Sequence, residues 1–468
     1  MIPWAIYAQD QWKLRRWTVN AGLRYDRFTG SYPASHVSPT QFLPVARDYP
    51  GADVLSWKDL DPRLGMSWDV FGSGKTAVKA TVSRFIQQEG KTQTNAVHPV
   101  IAATNTIART WNDRNGDFMV QGDPFNPAAN EELGPSPNTN FGKPISTLHF
   151  DPAWTNGHGT RPFDWETSAG VQHEIMPRVS MTAMYFRRIY GNFVVTQNVL
   201  VSPADYDPYC ITAPSDPRLP GGGGQQICGL YDLNPSKVGL GEFLRTNSGK
   251  FGSQYRHWNG VDLNVNARFP NGLLLQGGAS TGKENNDNCQ VVAKIGSPSA
   301  IGNPSPYNCH QETPFLTQTK FLAAYPLPWW GVQLSGTFQR AVYEPTGTNA
   351  ASTVGVTGMS ALYVATNAVI APSLGRALSG GAANATIDLL TRKPGLYFDP
   401  FTQIDFRAAK TFTVGRAKVQ GQFDVYNLLN DNTALNFQNA YGTNGVGWLQ
   451  PTAALPGRVL RFGLQVNF

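Results

Sequence analysis

The sequence predicts an all-β protein in which antiparallel strands form the wall of a transmembrane β-barrel. Apolar and polar residues alternate along many segments, and in VDLNVNARF at 261–269 every second residue is apolar. A two-residue period indicates a strand with two different faces. Most of these segments are longer than the five or six residues usual in soluble sheets. The connections between them alternate between short and very long, which is typical of outer-membrane barrels.

Thirteen strands are expected from this alternation. Their length matches the nine to eleven residues that a tilted strand needs to cross a bilayer. They are residues 4–12, 16–28, 62–70, 75–86, 163–176, 178–190, 258–269, 271–282, 315–325, 330–340, 401–413, 416–427 and 458–468.

The connections predict which end of the wall faces outward. Short turns on the periplasmic side and long loops outside are the rule in such barrels, and soluble domains rarely carry so many long loops. The expected turns are 13–15, 71–74, 177, 270, 326–329 and 414–415, and the expected extracellular loops are 29–61, 87–162, 191–257, 283–314, 341–400 and 428–456.

Composition agrees with a wall that is apolar outside and polar inside. Charged residues make up 15% of the chain, below the roughly 25% typical of soluble domains. No apolar run is long enough for a membrane-spanning helix. The expected lumen face carries Asp262, Asn264, Arg268, Gln420 and Asp424. Aromatics near strand ends suit interfacial girdles, namely Trp4, Trp12, Trp17, Trp165, Trp258, Trp329 and Trp330.

The net charge of +6 is spread thinly along the chain. Nucleic-acid binding needs a clustered basic stripe, and the sequence contains none, so we expect no nucleic-acid partner.

Four cysteines at Cys210, Cys228, Cys289 and Cys309 allow three connectivities. Local pairing of 210 with 228 and of 289 with 309 is the simplest, and it implies an oxidising compartment. The alternative is four reduced thiols.

Three segments resemble TonB-dependent outer-membrane receptors: YAQDQWKLRRWTVNAGLRYD at 7–26, FDVYNLLNDNTALNF at 423–437 and the terminal RFGLQVNF. GDPFNPAANEELGPSPNTNFGKP at 122–144 resembles the subgroup with an N-terminal carboxypeptidase-regulatory-like domain. The resemblance implies a barrel of 22 strands around a plug. Residues 1–468 are then expected to form the C-terminal part of that barrel, with about 13 strands and without the plug, the N-terminal strands or a signal peptide.

The resemblance also implies a location, partners and a function. The protein is expected in the bacterial outer membrane, in contact with lipid, and with a terminal signal for the barrel-assembly machinery at Phe462, Leu464, Val466 and Phe468. The complete protein is expected to take up a large ligand of the siderophore, cobalamin or glycan class, driven by the TonB complex through the missing N-terminal part. Loops 87–162 and 191–257 would contact this extracellular ligand. Alternatives are a passive porin, a surface adhesion barrel and a secreted β-rich enzyme.

Two further motifs were considered as ligand sites. FGSGKT at 71–76 lacks the first glycine of a phosphate loop and precedes an alternating segment, so a tight hairpin turn is expected. In WNDRNGDFMVQGDP at 111–124, Asp113, Asn115, Asp117 and Asp123 form a candidate calcium loop, since hard cations prefer oxygen ligands. The bidentate glutamate of an EF-hand is absent, and the alternative is a solvated Asx-rich turn. No nucleophile with a matching base is recognisable, and no enzymatic activity is expected.

Overall fold

The computed structural model describes residues 1–39, 45–102, 107–126, 128–136, 148–295, 308–341, 359–390 and 396–467. All thirteen predicted wall strands are present. They are β1 (Ile2–Leu14), β2 (Trp17–Tyr32), β3 (Ala52–Asp69), β4 (Thr76–Ile86), β5 (Phe163–Met176), β6 (Val179–Gly191), β7 (Tyr255–Arg268), β8 (Leu274–Asp287), β9 (Leu316–Pro326), β10 (Val332–Ala341), β11 (Phe401–Val414), β12 (Ala417–Tyr426) and β13 (Val459–Asn467).

The wall strands form one antiparallel sheet in chain order, from β1 to β13. Each strand pairs with the next, so short turns lie at one end of the sheet, the turn end, and long connections lie at the other, the loop end. The sheet is not closed, because the described residues show no pairing between β1 and β13. Among the same residues, no helix has the length and apolar character needed to span a bilayer.

Side-chain exposure alternates along the wall as the sequence predicted. In β6, Met181, Tyr185 and Ile189 are 46%, 43% and 41% exposed, while their direct neighbours in the strand are partly buried. Leu263 in β7 stands opposite Ala183 in β6 and Ala279 in β8, so the exposed apolar face continues from strand to strand. The wall therefore has an apolar face and a polar face.

Strand bounds differ from the prediction at several strand ends, and the starts of β3 and β8 show the causes. β3 begins at Ala52 and not at 62, because its inward face changes from apolar Trp57 to acidic Asp59 and Asp61, which hides the alternation. β8 begins at Leu274 and not at 271. The preceding hairpin turn needs Gly272, whose φ is 87°, and Asn-Gly is a strong turn signal that the prediction assigned to the strand.

The long loops are not structureless, contrary to expectation. They contain the helices α1 (Thr92–Val97), α2 (Pro99–Ala102), α3 (Pro152–Thr155), α4 (Cys289–Val292) and α5 (Asn367–Leu374). Short loop strands are Ser35–Val37, Arg47–Tyr49, Leu148–Phe150, Asn156–His158, Val194–Asn198, Tyr206–Thr212, Gln226–Leu233, Phe243–Asn247, His310–Glu312, Leu362–Thr366, Asn384–Asp388, Ala434–Phe437, Ala440–Gly442 and Pro451–Ala454. Single 3₁₀ turns are Pro203–Asp205, Pro220–Gly222, Pro235–Lys237, Ser248–Lys250 and Ser379–Gly381.

Three of these loops share one hydrophobic core, and we call residues 206–233, 359–390 and 440–449 the loop cap. Its buried side chains are Tyr209, Ile211, Ala213, Leu219, Ile227, Leu230, Ala361, Tyr363, Ala365, Ile370, Leu378, Ile387, Leu389, Leu390, Tyr441 and Trp448. Apolar burial of this kind stabilises a fold by about 25 cal/mol per Å². The loop cap is therefore a small folded unit built by the loops after β6, β10 and β12.

Candidate functional site

The candidate site is a cavity of about 350 Å³ at the loop end of β2, β3 and β4. Charged side chains are prominent in its lining. They are Arg24, Arg27, Arg63, Arg84, Arg161, Asp26, Asp61 and Glu89. Charged groups at a concave surface supply directional hydrogen bonds to a ligand, so this cavity is a candidate ligand site.

Two ion pairs organise the cavity wall. Arg24 donates to both carboxylate oxygens of Asp26, at 2.7 and 2.8 Å. Arg84 donates to Asp61 Oδ1 at 2.7 Å and to the carbonyl oxygen of Leu60 at 3.2 Å. Pairing between β3 and β4 ends just before this point, at Arg63 and Ser83. Arg84 therefore satisfies backbone and carboxylate acceptors where the two strands separate.

A hydrophobic cluster fills the gap between these strands. Trp57 in β3 is fully buried and donates its indole N–H to the carbonyl oxygen of Trp154 in α3, at 2.7 Å. The loop strand Asn156–His158 pairs in parallel with β3. Phe28 and Leu55 complete the cluster. This packing holds the segment that carries Arg161 against the wall.

Arg161 and Glu89 face the cavity from the loop between β4 and β5. The Arg161 guanidinium lies 5.2 Å from the ring centre of Phe28 and 5.5 Å from that of Trp57. Burial lowers the pKa of Arg161, and the carboxylates of Asp59 and Glu89 oppose this shift. Burial likewise raises the pKa of Glu89, while Arg161 counteracts it. The two groups therefore stabilise each other's charged form across the cavity.

Two side chains at the site retain hydrogen-bonding capacity. Asp59 is 2% exposed, and neither of its carboxylate oxygens has a hydrogen-bond partner in the described structure. Its nearest cation is Arg84, with Nη2 3.7 Å from Oδ1. Arg63 projects over the ring of Phe85, with its Cζ 4.9 Å from the ring centre. The cavity thus offers guanidinium donors to a polar ligand, with buried acceptors behind them.

Sequence reasoning did not single out these cavity residues. The available signal was two sets of charges at alternate positions, Arg24 with Asp26 near the end of a predicted strand and Asp59 with Asp61 in the predicted loop 29–61. Arg161 had no such signal, because it lies in a long loop. Its position depends on α3 packing against β3, which no local pattern encodes.

The predicted calcium loop forms a compact turn. Asp113 accepts hydrogen bonds from the backbone N–H groups of Gly116 at 2.8 Å and Phe118 at 3.0 Å. Asp117 accepts from Met119 N–H at 2.7 Å and from the side-chain amide of Asn115 at 3.0 Å. Asp123 accepts from the N–H of Phe125 at 2.8 Å. Among the described residues, no three His, Cys, Asp or Glu side chains are grouped as metal ligands; calcium binding stays a prediction.

The four cysteines lie in two local pairs. Cys210 is joined to Cys228, with a Cα–Cα distance of 4.2 Å, inside the loop cap. Cys289 is joined to Cys309, with a Cα–Cα distance of 4.8 Å, at the base of the loop after β8. Each bridge therefore closes a single loop and does not link different loops.

The remaining predicted sites are at the turn end and on the last strand. Residues 71–74 form a hairpin turn, in which Asp69 accepts from the N–H groups of Gly72 and Gly74 at 3.0 and 2.8 Å. Phe462, Leu464 and Val466 lie on the exposed face of β13, at 79%, 74% and 40% exposure. Phe468 lies outside the described residues. Recognition of this strand by the barrel-assembly machinery stays a prediction.

The family of the chain follows from comparison with known proteins. A family model described as "Outer membrane beta barrel domain" matches residues 2–311, and the chain belongs to this family. It is accordingly an outer-membrane protein with a β-barrel wall. Among curated proteins, none matches the chain.

Several solved structures of outer-membrane proteins are similar to the chain. The ferric-catecholate import receptor Fiu from E. coli K12 is 12% identical, with a TM-score of 0.45, over 99% of this chain and 44% of Fiu. The FrpB iron transporter from Neisseria meningitidis is 12% identical, with a TM-score of 0.43, over 98% of this chain and 44% of FrpB. The siderophore receptor PiuA from Acinetobacter baumannii is 10% identical, with a TM-score of 0.45, over 99% and 43%. The chain thus spans less than half of their length.

Proposed function

We propose that the chain is the C-terminal part of the barrel of a TonB-dependent receptor, of the subgroup with an N-terminal carboxypeptidase-regulatory-like domain. The complete receptor takes up a large extracellular ligand of the siderophore, cobalamin or glycan class. It contacts the TonB complex through a part outside this chain and is inserted by the barrel-assembly machinery, which recognises Phe462, Leu464, Val466 and Phe468. It has no enzymatic activity.

One observation carries this proposal: three long loops are folded together into the loop cap around one shared core. Ordering loops costs about 1–2 kcal/mol of backbone conformational entropy per residue. A passive pore that admits small solutes gains nothing from such order at its mouth, whereas a receptor needs fixed loop surfaces to bind its ligand. The motifs at 7–26 and 423–437 favour the same class.

Contacts within the loop cap show how firmly it is held. Arg376 binds both Asp207, at 2.5 Å, and Asp232. The backbone N–H of Cys210 donates to Ser373 Oγ at 2.9 Å. These bonds join the loop after β6 to the loop after β10, and they support a rigid ligand-facing surface at the mouth of the barrel.

Uptake measurements test the proposal. The complete gene product, including whatever precedes residue 1, is expressed in cells with and without a functional TonB, and accumulation of ferric siderophores, cobalamin and oligosaccharides is measured. We expect one of these ligands to accumulate only in cells with TonB. TonB-independent diffusion of small solutes, together with steady ion conductance in planar bilayers, would instead identify a passive porin.

A further inference from the structure

The loop between β4 and β5 carries an exposed apolar segment. We call residues 107–136 the loop tip, and Phe118, Met119 and Val120 its apex. These three consecutive side chains are 86%, 69% and 55% exposed. Contiguous exposed apolar groups on an otherwise polar loop are typical of a protein interaction site.

Hydrogen bonds to Glu132 hold the residues on both sides of the apex. Glu132 is 7% exposed, and its carboxylate accepts from the backbone N–H of Arg114 at 2.9 Å and from the indole N–H of Trp111 at 3.1 Å. It also accepts from the N–H of Gln121, directly after the apex, at 3.3 Å. The apex is thereby ordered in advance, which lowers the entropic cost of binding a partner.

A cavity of about 400 Å³ lies in the same loop tip. Its lining includes Trp111, which is 42% exposed, two acidic residues, Glu131 and Glu132, and one basic residue, Arg114. An aromatic face beside carboxylates is suited to a cationic side chain, since the ring quadrupole and the negative charges both attract it. The volume is sufficient for a single Lys or Arg side chain with its hydration.

The charge of the loop tip selects the class of partner. It contains five acidic residues and two basic residues, a net charge of −3, in a chain whose overall charge is +6. Phosphate-bearing lipid surfaces and nucleic acids are repelled by such a surface. A basic polypeptide with apolar side chains complements both the charge and the apex.

We propose that the loop tip binds a basic polypeptide segment, with apolar side chains of the partner on the apex and a Lys or Arg side chain in the cavity beside Trp111 and Glu131. The geometry matches a small interface in which a central apolar anchor is surrounded by charged contacts. This interaction goes beyond the ligand uptake proposed above.

Binding of two matched synthetic peptides tests the proposal. Both are amphipathic with leucine on one face, and the other face carries lysine in one peptide and glutamate in its counterpart. The full chain is held in uncharged detergent, and binding is measured by fluorescence anisotropy. We expect the leucine–lysine peptide to bind, with an affinity that falls as salt is raised, and the leucine–glutamate peptide not to bind.

Variants locate the binding surface. The combined substitutions Phe118→Ser, Met119→Ser and Val120→Ser are expected to lower the affinity for the leucine–lysine peptide by about 10-fold or more. Glu131→Gln is expected to lower this affinity about 3-fold. Val446→Ser is the matched control, because Val446 is 79% exposed in a different loop, and it is expected to change nothing.

Three results would overturn the proposal. The first is equal binding of both peptides. The second is an equal affinity of the apex variant and the unaltered chain for the leucine–lysine peptide. The third is binding of anionic vesicles by the unaltered chain that is lost in the apex variant. Because the substituted side chains are exposed, the variants are expected to fold, and near-ultraviolet circular dichroism checks that they do.

Discussion

The indole N–H of Trp448 donates a hydrogen bond to the carbonyl oxygen of Ser360, at 2.8 Å, across 88 residues of sequence. Trp448 is 2% exposed in the centre of the loop cap. One side chain thus joins the loop after β12 to the loop after β10.

Replacing Trp448 with alanine is expected to destabilise the loop cap by about 3–5 kcal/mol, the usual cost of deleting a buried indole. Hydrogen exchange should then accelerate at the amides of Tyr206–Thr212 and Gln226–Leu233, while the wall strands keep their protection. Trp330→Ala is the control, because Trp330 is 79% exposed in a turn. Unchanged exchange in the cap of the Trp448 variant would show that the shared core does not hold the loops.

Tyr441 predicts a dependence of cap stability on alkaline pH. Burial, together with the hydrogen bond that its hydroxyl donates to Asp216 at 3.0 Å, raises its pKa to about 12. An unfolded tyrosine has a pKa of about 10. Because the pKa is higher in the folded state, the protonated Tyr441 stabilises the fold. This contribution is complete below pH 10 and is lost as pH rises towards 12.

Absorbance of tyrosinate measures this effect. The difference in titration between the unaltered chain and Tyr441→Phe should show one tyrosine that ionises near pH 12. The free energy of opening of the cap, obtained from hydrogen exchange after correction for the intrinsic rate, should vary less between pH 10 and pH 12 in Tyr441→Phe than in the unaltered chain. A difference curve centred near pH 10 would contradict the buried hydrogen bond.

Removing the Cys210–Cys228 bridge is expected to destabilise the loop cap by about 3 kcal/mol, the loop-closure entropy for a loop of this size. The bridge spans 18 residues of sequence. Serine at both positions should expose residues 206–233 to proteolysis. Serine at Cys289 and Cys309, whose bridge lies outside the cap, should leave that cleavage rate unaltered. Equal protection in both variants would contradict a structural role for the first bridge.

The wall predicts opposite results for two neighbouring positions. Leu263 lies on the apolar face of β7 and is 47% exposed, while Asn264 faces the opposite side. Leu263→Arg places a charge in the hydrocarbon and is expected to cost about 2–4 kcal/mol. Asn264→Arg faces the lumen and should cost far less. Urea unfolding in lipid vesicles measures the loss of stability for each variant. Equal losses of stability would be inconsistent with a wall that has one lipid face.

Calcium titration tests the predicted loop at 111–124. Both carboxylate oxygens of Asp113 already accept backbone N–H groups, so calcium must compete with them. We expect weak binding, with a Kd of about 10⁻⁴–10⁻³ M as in extracellular modules, and loss of binding in Asp113→Asn. The absence of heat in isothermal titration of a synthetic 111–124 peptide would count against the site.

The wall could be predicted from sequence because alternation is a local property. Residues 261–269 display both faces of β7 without reference to any other strand. The loop cap could not be predicted in this way. Tyr441 and Asp216 are 225 residues apart, and short apolar stretches in loops do not reveal which distant segment covers them. The same limit applies to the cavity, where packing of α3 against β3 brings the distant Arg161 close to Trp57.

The segments that build the loop cap are spread along the chain from Tyr209 to Trp448. This separation affects biogenesis. Its core includes residues that precede β7 and residues that follow β12, so it cannot be completed before the last hairpin has reached the cell exterior. Contacts of such high sequence separation form slowly. The cap is therefore expected to mature after the wall has inserted, and the nascent protein at the surface would pass through a stage with loose, protease-sensitive loops.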